Sequence, residues 1–180
     1  MKEGIGYKLF RMKKGLLFPL YVQANEPLPM NEWIEAKPGT YAKDGTHVKS
    51  KLGPLCYRPG WHINDRCPYV DHIYTLHDGK RFQKENTVWA RVKYHTEGDW
   101  QEKANLAGIR KGKFYPRDAF LREIPKGGFY RYKTNPTMKI PWIIAGEIYI
   151  EEILTEEEVV ALCNKNGLEP LPVWKGETDG

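Results

Sequence analysis

Serine is all but missing: Ser50 is the one serine in 180 residues. Serine hydrolysis would rest on that single hydroxyl, which lies in a polar loop outside any nucleophile elbow. Cysteine is scarce and odd in number. Cys56, Cys67 and Cys163 fit reduced thiols better than a disulfide framework. No run approaches eighteen consecutive apolar residues, so no membrane-spanning helix and no membrane partner are expected. The opening "MKEGIGYKLFRMKKGLLFPLYV" lacks a continuous apolar stretch followed by a small-residue cleavage site, and a cytoplasmic protein is expected. GxGxxG, Walker and HExxH patterns do not occur, and no paired carboxylates stand out. "KGKFYP" and "PKGGFYRYK" hold glycines, but neither opens onto a helix as a phosphate cradle does. No cofactor is expected.

What is present is enough for a core. Apolar residues make up 41% and aromatics 13%, with six tryptophans, so the chain can fold without metal or disulfide. Thirteen prolines and seventeen glycines predict many turns and short elements. Residues 1–168 are expected to form one domain, and residues 169–180 a tail held by Trp174. The net charge of +5 is unevenly spread. Residues 80–140 hold fifteen Lys/Arg against six Asp/Glu, whereas residues 141–180 hold two against nine. The basic segment suits an acidic partner. The acidic segment can neutralise it from within or support a homodimer.

"YKLFRM" and "KGLLFPLYVQ" predict a hairpin turning at Lys13–Lys14–Gly15. "TVWARVKYH" alternates cleanly. It puts Val88, Ala90, Val92 and Tyr94 on one face, and Trp89, Arg91, Lys93 and His95 on a wet or partner-facing side. Thr155 with Glu158 three residues on predicts a capping box, and Gly167 a C-terminal stop, around a final helix. The expected class is α+β: a mostly antiparallel β single domain with a C-terminal helix.

Residues 57–73, "YRPGWHINDRCPYVDHI", concentrate the chemistry-bearing types, with Cys56 just ahead. Cys56, His62, Cys67 and His72 have a C-x5-H-x4-C-x4-H spacing, wider than the tight knuckles of structural zinc sites. The alternative is separate buried thiols and hydrogen-bonded histidines. A Cys–His nucleophile would need Cys56 or Cys67 beside His62 or His72, yet nothing places a thiol at a helix N-terminus. An NAD-dependent ADP-ribosyltransferase-like enzyme is a further alternative. Arg11 on an early strand, then "PGWH", outline its layout, in which an early arginine or histidine and later aromatics grip nicotinamide and Glu123 or Glu147 would orient the ribose; Arg58, His62 and Glu123 are then the candidate catalytic residues. The plain reading has Trp61 plugging a core while Arg58 and His62 bond loop carbonyls.

Partner binding has the denser support. Lys111, Lys113, Arg117, Arg122, Lys126, Arg131 and Lys133 interleave with Phe114, Tyr115, Phe120, Phe129, Tyr130 and Tyr132. Such cations supply charge, while exposed rings stack on bases or anchor a protein interface. In "FYRYK", Phe129, Arg131 and Lys133 share one face and Tyr130 and Tyr132 the other, with at least one aromatic set expected in the core.

The stretches "YKLFRMKKG", "EWIEA", "YRPGWHIND" and "GGFYRYKTNP", with "WIIAGEIYIEEILTEEEV", resemble a family of small proteins carried by phages, prophages and conjugative elements of gut Firmicutes. The resemblance spans roughly residues 7–165, and Arg58–Pro59–Gly60–Trp61–His62 with His72 is its most recognisable part. It implies no catalytic role for those residues. The lysine-rich 43–51 linker and the basic 103–133 segment are additions that favour a partner surface. The resemblance implies a mobile-element protein that counters host defence, in its sharpest form an anti-CRISPR inhibitor of a Cas nuclease. The expected partner is a host defence nuclease or its nucleic-acid complex, with direct nucleic-acid binding as the alternative.

Overall fold

The computed structural model describes residues 2–22, 24–37, 39, 41–50, 55–56 and 58–176. The chain opens with β1 (Glu3–Lys13) and β2 (Leu16–Phe18), joined by the expected turn, and passes through β3 (Trp33–Glu35). A small pair, β4 (His47–Val48) with β5 (Leu55–Cys56), precedes β6 (Trp61–Ile63). The hairpin β7 (Tyr74–His77) and β8 (Lys80–Gln83) leads into β9 (Thr87–His95). Next come β10 (Gly98–Asp99), α1 (Gln101–Ala107) and the hairpin β11 (Ile109–Arg110) with β12 (Lys113–Phe114). A 3-10 turn at Pro116–Asp118 precedes β13 (Gly128–Tyr132), β14 (Trp142–Ala145), β15 (Glu147–Ile153) and α2 (Glu156–Lys165). The expected class holds: the chain is mostly antiparallel β with a C-terminal helix. Among the described residues no helix is long and apolar enough to cross a membrane.

Two sheets meet at a sharp corner. One runs β2-β1-β9-β15-β3, and the other β10-β13-β14-β6. Between β14 and β15 stands Gly146, where any Cβ would come within 1.9 Å of the Pro125 carbonyl oxygen. Only glycine lets the backbone turn this corner from one sheet to the other. On the opposite side Tyr7 of β1 and Asn64 exchange both backbone hydrogen bonds, at 2.7 and 2.8 Å. The pairings β1–β9, β9–β15, β14–β6 and Asn64–Tyr7 therefore run round in a ring.

The ring has an inner core of Phe10, Ile63, Ala90, Val92, Tyr94, Phe129, Ile143, Ile148 and Ile150. Ala90, Val92 and Tyr94 of β9 point into it, with Val88 packed at its margin, as the alternation predicted. A second core lies outside the ring, where Leu9, Trp89, Tyr130, Tyr132, Trp142 and Ile144 meet Val159 and Cys163 of α2. Its presence corrects the expectation of a wet second face on β9. Trp89 is buried there, and Arg91, Lys93 and His95 are half-buried, each against a carboxylate. In β13 both aromatic sets are buried, because the strand separates the two cores.

The final helix starts as its sequence dictates. Thr155 Oγ1 accepts from the Glu158 amide and Glu158 accepts in turn from the Thr155 amide, completing a capping box. Gly167 comes next at φ 72, the left-handed stop. The tail is pinned as expected of Trp174, whose ring stacks on His77 at 4.0 Å, while the Gln83 amide donates to the Pro172 carbonyl.

Candidate functional site

The 57–73 stretch folds as a corner between the two cores. Gly60 has φ 126, and a Cβ there would meet Ile144 Cγ2 at 2.3 Å, which explains a glycine after Pro59. β6 then alternates. Trp61 and Ile63 join the inner core, and Trp61 Nε1 donates to the Ile34 carbonyl at 2.9 Å. His62 turns outward onto Trp142, and His72 packs edge-on against the same indole; each imidazole centroid is 5.9 Å from it.

Asn64, which sequence patterning did not single out, organises the loop from Asp65 to Tyr69. It is 3% exposed. Its Oδ1 accepts from the amides of Arg66 and Cys67, and its Nδ2 donates to the Tyr69 carbonyl. That is an Asx-type turn fixing the loop from within. The clue in the sequence was "ND" between two apolar pieces.

Burial disfavours the charged forms of the corner's histidines and of Lys8. Burial, then the nearby charges of Lys8 and Arg58, pushes His62 down to about 3. Its imidazole is therefore neutral at pH 7 and too weak a base for proton abstraction there. His72 is lowered by burial against the opposing pull of Asp71. Lys8 Nζ donates to the His62 carbonyl at 2.9 Å, and burial brings that amine down to about 8. Arg58 Nη1 donates to the Tyr132 hydroxyl at 3.2 Å, and its guanidinium lies 4.9 Å above that ring. Arg58 thus bonds a tyrosine rather than a loop carbonyl, and its Nε is buried without a partner.

The thiols pair differently from either expectation. Cys67 is fully buried against Cys163, whose Sγ donates to the Pro68 carbonyl at 3.2 Å. Burial pushes both thiols up, Cys163 to about 12, so neither is a thiolate nucleophile at neutral pH. Cys67 therefore lies near the free thiol of Cys163 on α2 rather than beside a histidine. Among the described residues no group of three or more His, Cys, Asp or Glu is arranged to hold a metal ion. The Cys56 side chain lies outside the described residues.

The residues named for ADP-ribosyl transfer are dispersed. Arg11 Nη1 donates to the Ala24 carbonyl at 2.6 Å, Glu123 is exposed, and Glu147 bonds His95 rather than Arg58 or His62. The His95–Glu147 pair was not anticipated. His95 Nε2 lies 2.8 Å from Glu147 Oε1, their side chains are 11% and 16% exposed, and Trp33 stacks on the imidazole at 4.1 Å. His95 Nδ1 is buried with no hydrogen-bond partner among the described residues, so this roofed pair offers no open nitrogen to a substrate.

Within the basic segment, residues 109–117 are exposed throughout. The β11–β12 turn, Lys111 at φ 50 and Gly112 at φ 77, is the left-handed pair that a two-residue hairpin requires. Leu106, Ile109, Phe114 and Tyr115 are exposed by 61%, 48%, 52% and 39%. Lys111, Lys113, Arg117, Arg122 and Lys133 surround or follow this tip, all exposed. None of the five forms an ion pair among the described residues. Arg131 meets Asp65 at 3.4 Å and Lys126 meets Glu35 at 3.7 Å. Tyr130 is different. It is fully buried, its hydroxyl accepts from the Leu121 amide, and burial pushes it up to about 12. Its ring belongs to the core, which corrects its placement on a partner surface.

Among the described residues no carboxylate of the acidic segment pairs with this tip. Glu147, Glu151 and Glu152 pair with His95 and Arg91, and Glu156 pairs with Lys175. No known protein family, curated protein or solved structure matches this chain.

Proposed function

We propose that this chain is a non-enzymatic binding protein of a mobile element that inhibits a host defence nuclease, of the anti-CRISPR kind, through the β11–β12 hairpin and the basic residues after it. One observation carries the reading: four large apolar side chains stand exposed within residues 106–115, beside Lys111, Lys113 and Arg117, which no carboxylate answers among the described residues, while Arg110 pairs with Asp118. Exposed rings and aliphatic groups at a protruding tip supply the anchors of a protein interface, and the flanking charge steers the encounter with an acidic surface. Direct nucleic-acid binding uses the same charge. It is less favoured because Phe129, Tyr130 and Tyr132 are buried, leaving Phe114 and Tyr115 for stacking, and Arg110 already lies 4.4 Å over Tyr115.

The test is capture by tagged protein from nuclease-treated host lysate at moderate salt, beside a Lys111→Glu/Lys113→Glu/Phe114→Ala variant. The reading expects one stoichiometric defence nuclease with the wild type, inhibited in a cleavage assay, and none with the variant. Recovery of nucleic acid alone, or equal capture by the variant, overturns it. Light scattering in the same buffer tests the homodimer, which a mass of 20.9 kDa removes.

A further inference from the structure

A second basic feature lies away from the hairpin, in a cleft of about 620 Å³ lined by Arg11, Met12, Lys13, Lys14, Leu20, Tyr21, Lys84, Glu85 and Asn86. That volume is within the range of about 300–1,000 Å³ typical of small-molecule sites. Three chain segments build it, and its walls are tied together. The Met12 amide donates to the Asn86 carbonyl at 2.7 Å, Thr87 Oγ1 donates to the Lys84 carbonyl at 2.5 Å, and the Glu85 amide donates to Thr75 Oγ1 at 3.0 Å. Lys14 at φ 52 and Gly15 at φ 77 turn the chain tightly beside it. The cleft is preformed.

Its electrostatics are one-sided. Arg11, Lys13, Lys14 and Lys84 bring four positive charges, and none of them forms an ion pair among the described residues. Glu85, the one carboxylate in the lining, faces His77 Nε2 at 3.0 Å. Arg11 spends one guanidinium nitrogen on the Ala24 carbonyl and lies 5.7 Å over the Phe18 ring. Beside the cations stand Met12, Leu20 and Tyr21, all half-buried. Like charges converging on a concave surface raise the local potential and favour an anion. Half-buried apolar groups next to them favour a ligand with a flat or apolar part as well.

We infer that this cleft binds a nucleotide-sized phosphorylated small molecule, its phosphates on Lys13, Lys14 and Lys84 and its flat moiety against Leu20 and Tyr21. This site is independent of the hairpin interface and stands or falls separately. The probe is adenosine 5′-triphosphate, titrated calorimetrically into the full chain at low and moderate salt, with adenosine and inorganic triphosphate as comparators. The variant is Lys13→Glu/Lys14→Asn, because Asn-Gly keeps the turn geometry while the charge reverses. Circular dichroism of the variant and its melting temperature confirm that it folds, and Lys111→Glu/Lys113→Glu serves as the remote charge control.

The expected result is saturable binding of the nucleotide, weakened roughly tenfold or more by Lys13→Glu/Lys14→Asn and little changed by the hairpin variant. Adenosine and triphosphate alone should each bind more weakly than the nucleotide. No binding at about 1 mM ligand, equal binding by both variants, or triphosphate binding as tightly as the nucleotide would each overturn the inference.

Discussion

Replacing Lys8 by methionine should stabilise the protein at neutral pH and should flatten one part of its pH profile. Lys8 leaves β1 on the inner side of the ring, with its amine 5.8 Å from the Phe10 ring centroid and 5.7 Å from that of Trp61. Its one hydrogen bond is to the His62 carbonyl, and no carboxylate pairs with it among the described residues. Burial lowers the amine from 10.5 to about 8. By linkage that shift corresponds to about 3 kcal/mol against the charged form, and to about 2 kcal/mol after allowing for the residue's partial exposure. The sign comes from counting protons. Below pH 8 both folded and unfolded chains carry the ammonium, so the full cost is present. Between about 8 and 10.5 the unfolded chain holds the proton and the folded chain has released it, so stability rises with pH.

The variant loses the bond to the His62 carbonyl, at about 1 kcal/mol, so a net gain of about 1 kcal/mol at pH 7 is expected. Urea unfolding from pH 7 to pH 9.5 measures it. Wild-type stability should climb by about 1 kcal/mol relative to Lys8→Met across that window, because most of the linkage cost is relieved there. Tyr7, Tyr21, Tyr94 and Tyr130 are all raised by burial and act with the opposite sign above about pH 10, outside the window. Parallel wild-type and variant profiles would refute a buried, unanswered ammonium.

Acid should destabilise the corner. His62 at about 3 and the lowered His72 take up protons in the unfolded chain first, so about 2 kcal/mol should be lost between pH 6.5 and 4. His62→Leu should remove most of that loss, as denaturant midpoints at each pH will show. Gly146→Ala should cost about 3 kcal/mol or more, since its methyl would collide with the Pro125 carbonyl. Gly79→Ala, at φ 75 with open space around it, should cost about 1 kcal/mol, and thermal melts separate the two. Two of the three thiols, Cys67 and Cys163, should react with a disulfide reagent only on unfolding, because both are fully buried and protonated. Rapid labelling of either in native protein would contradict that burial.

Local features were legible in the sequence because local chemistry causes them. The β1–β2 turn needs left-handed residues at Lys14 and Gly15, the capping box needs Thr155 and Glu158, and the inner face of β9 needs period-two apolar residues. Long-range pairings were not legible, since a strand's pattern gives its faces but not its neighbour or register. His95 meets Glu147 only because Tyr94 lies opposite Ile148, and Arg58 reaches Tyr132 across 74 residues. Charged residues on β9 read as solvated for the same reason, because the carboxylates that answer them come from β15 and β1. In β13, alternation separated Phe129 from Tyr130 correctly but could not show that both faces meet a core.

The reactive residue types of the 57–73 corner are poorly set for acid–base or nucleophilic chemistry. Histidine, cysteine and lysine do chemistry near neutral pH when one protonation state is within reach of another and a substrate can approach. At this corner His62 is held neutral, Cys67 and Cys163 are held as thiols, and Asn64 locks the loop between them. Exposed cations without an ion pair among the described residues include Lys13 and Lys14 beside the cleft, and Lys111, Lys113, Arg117 and Arg122 around the hairpin. Among the described residues none of them meets a carboxylate of the acidic segment, four of which pair instead with Arg91, His95 and Lys175. Positive charge without an ion pair thus stands at both of these surfaces. On the proposed readings, such charge would raise encounter rates with an acidic ligand and make its binding salt-dependent.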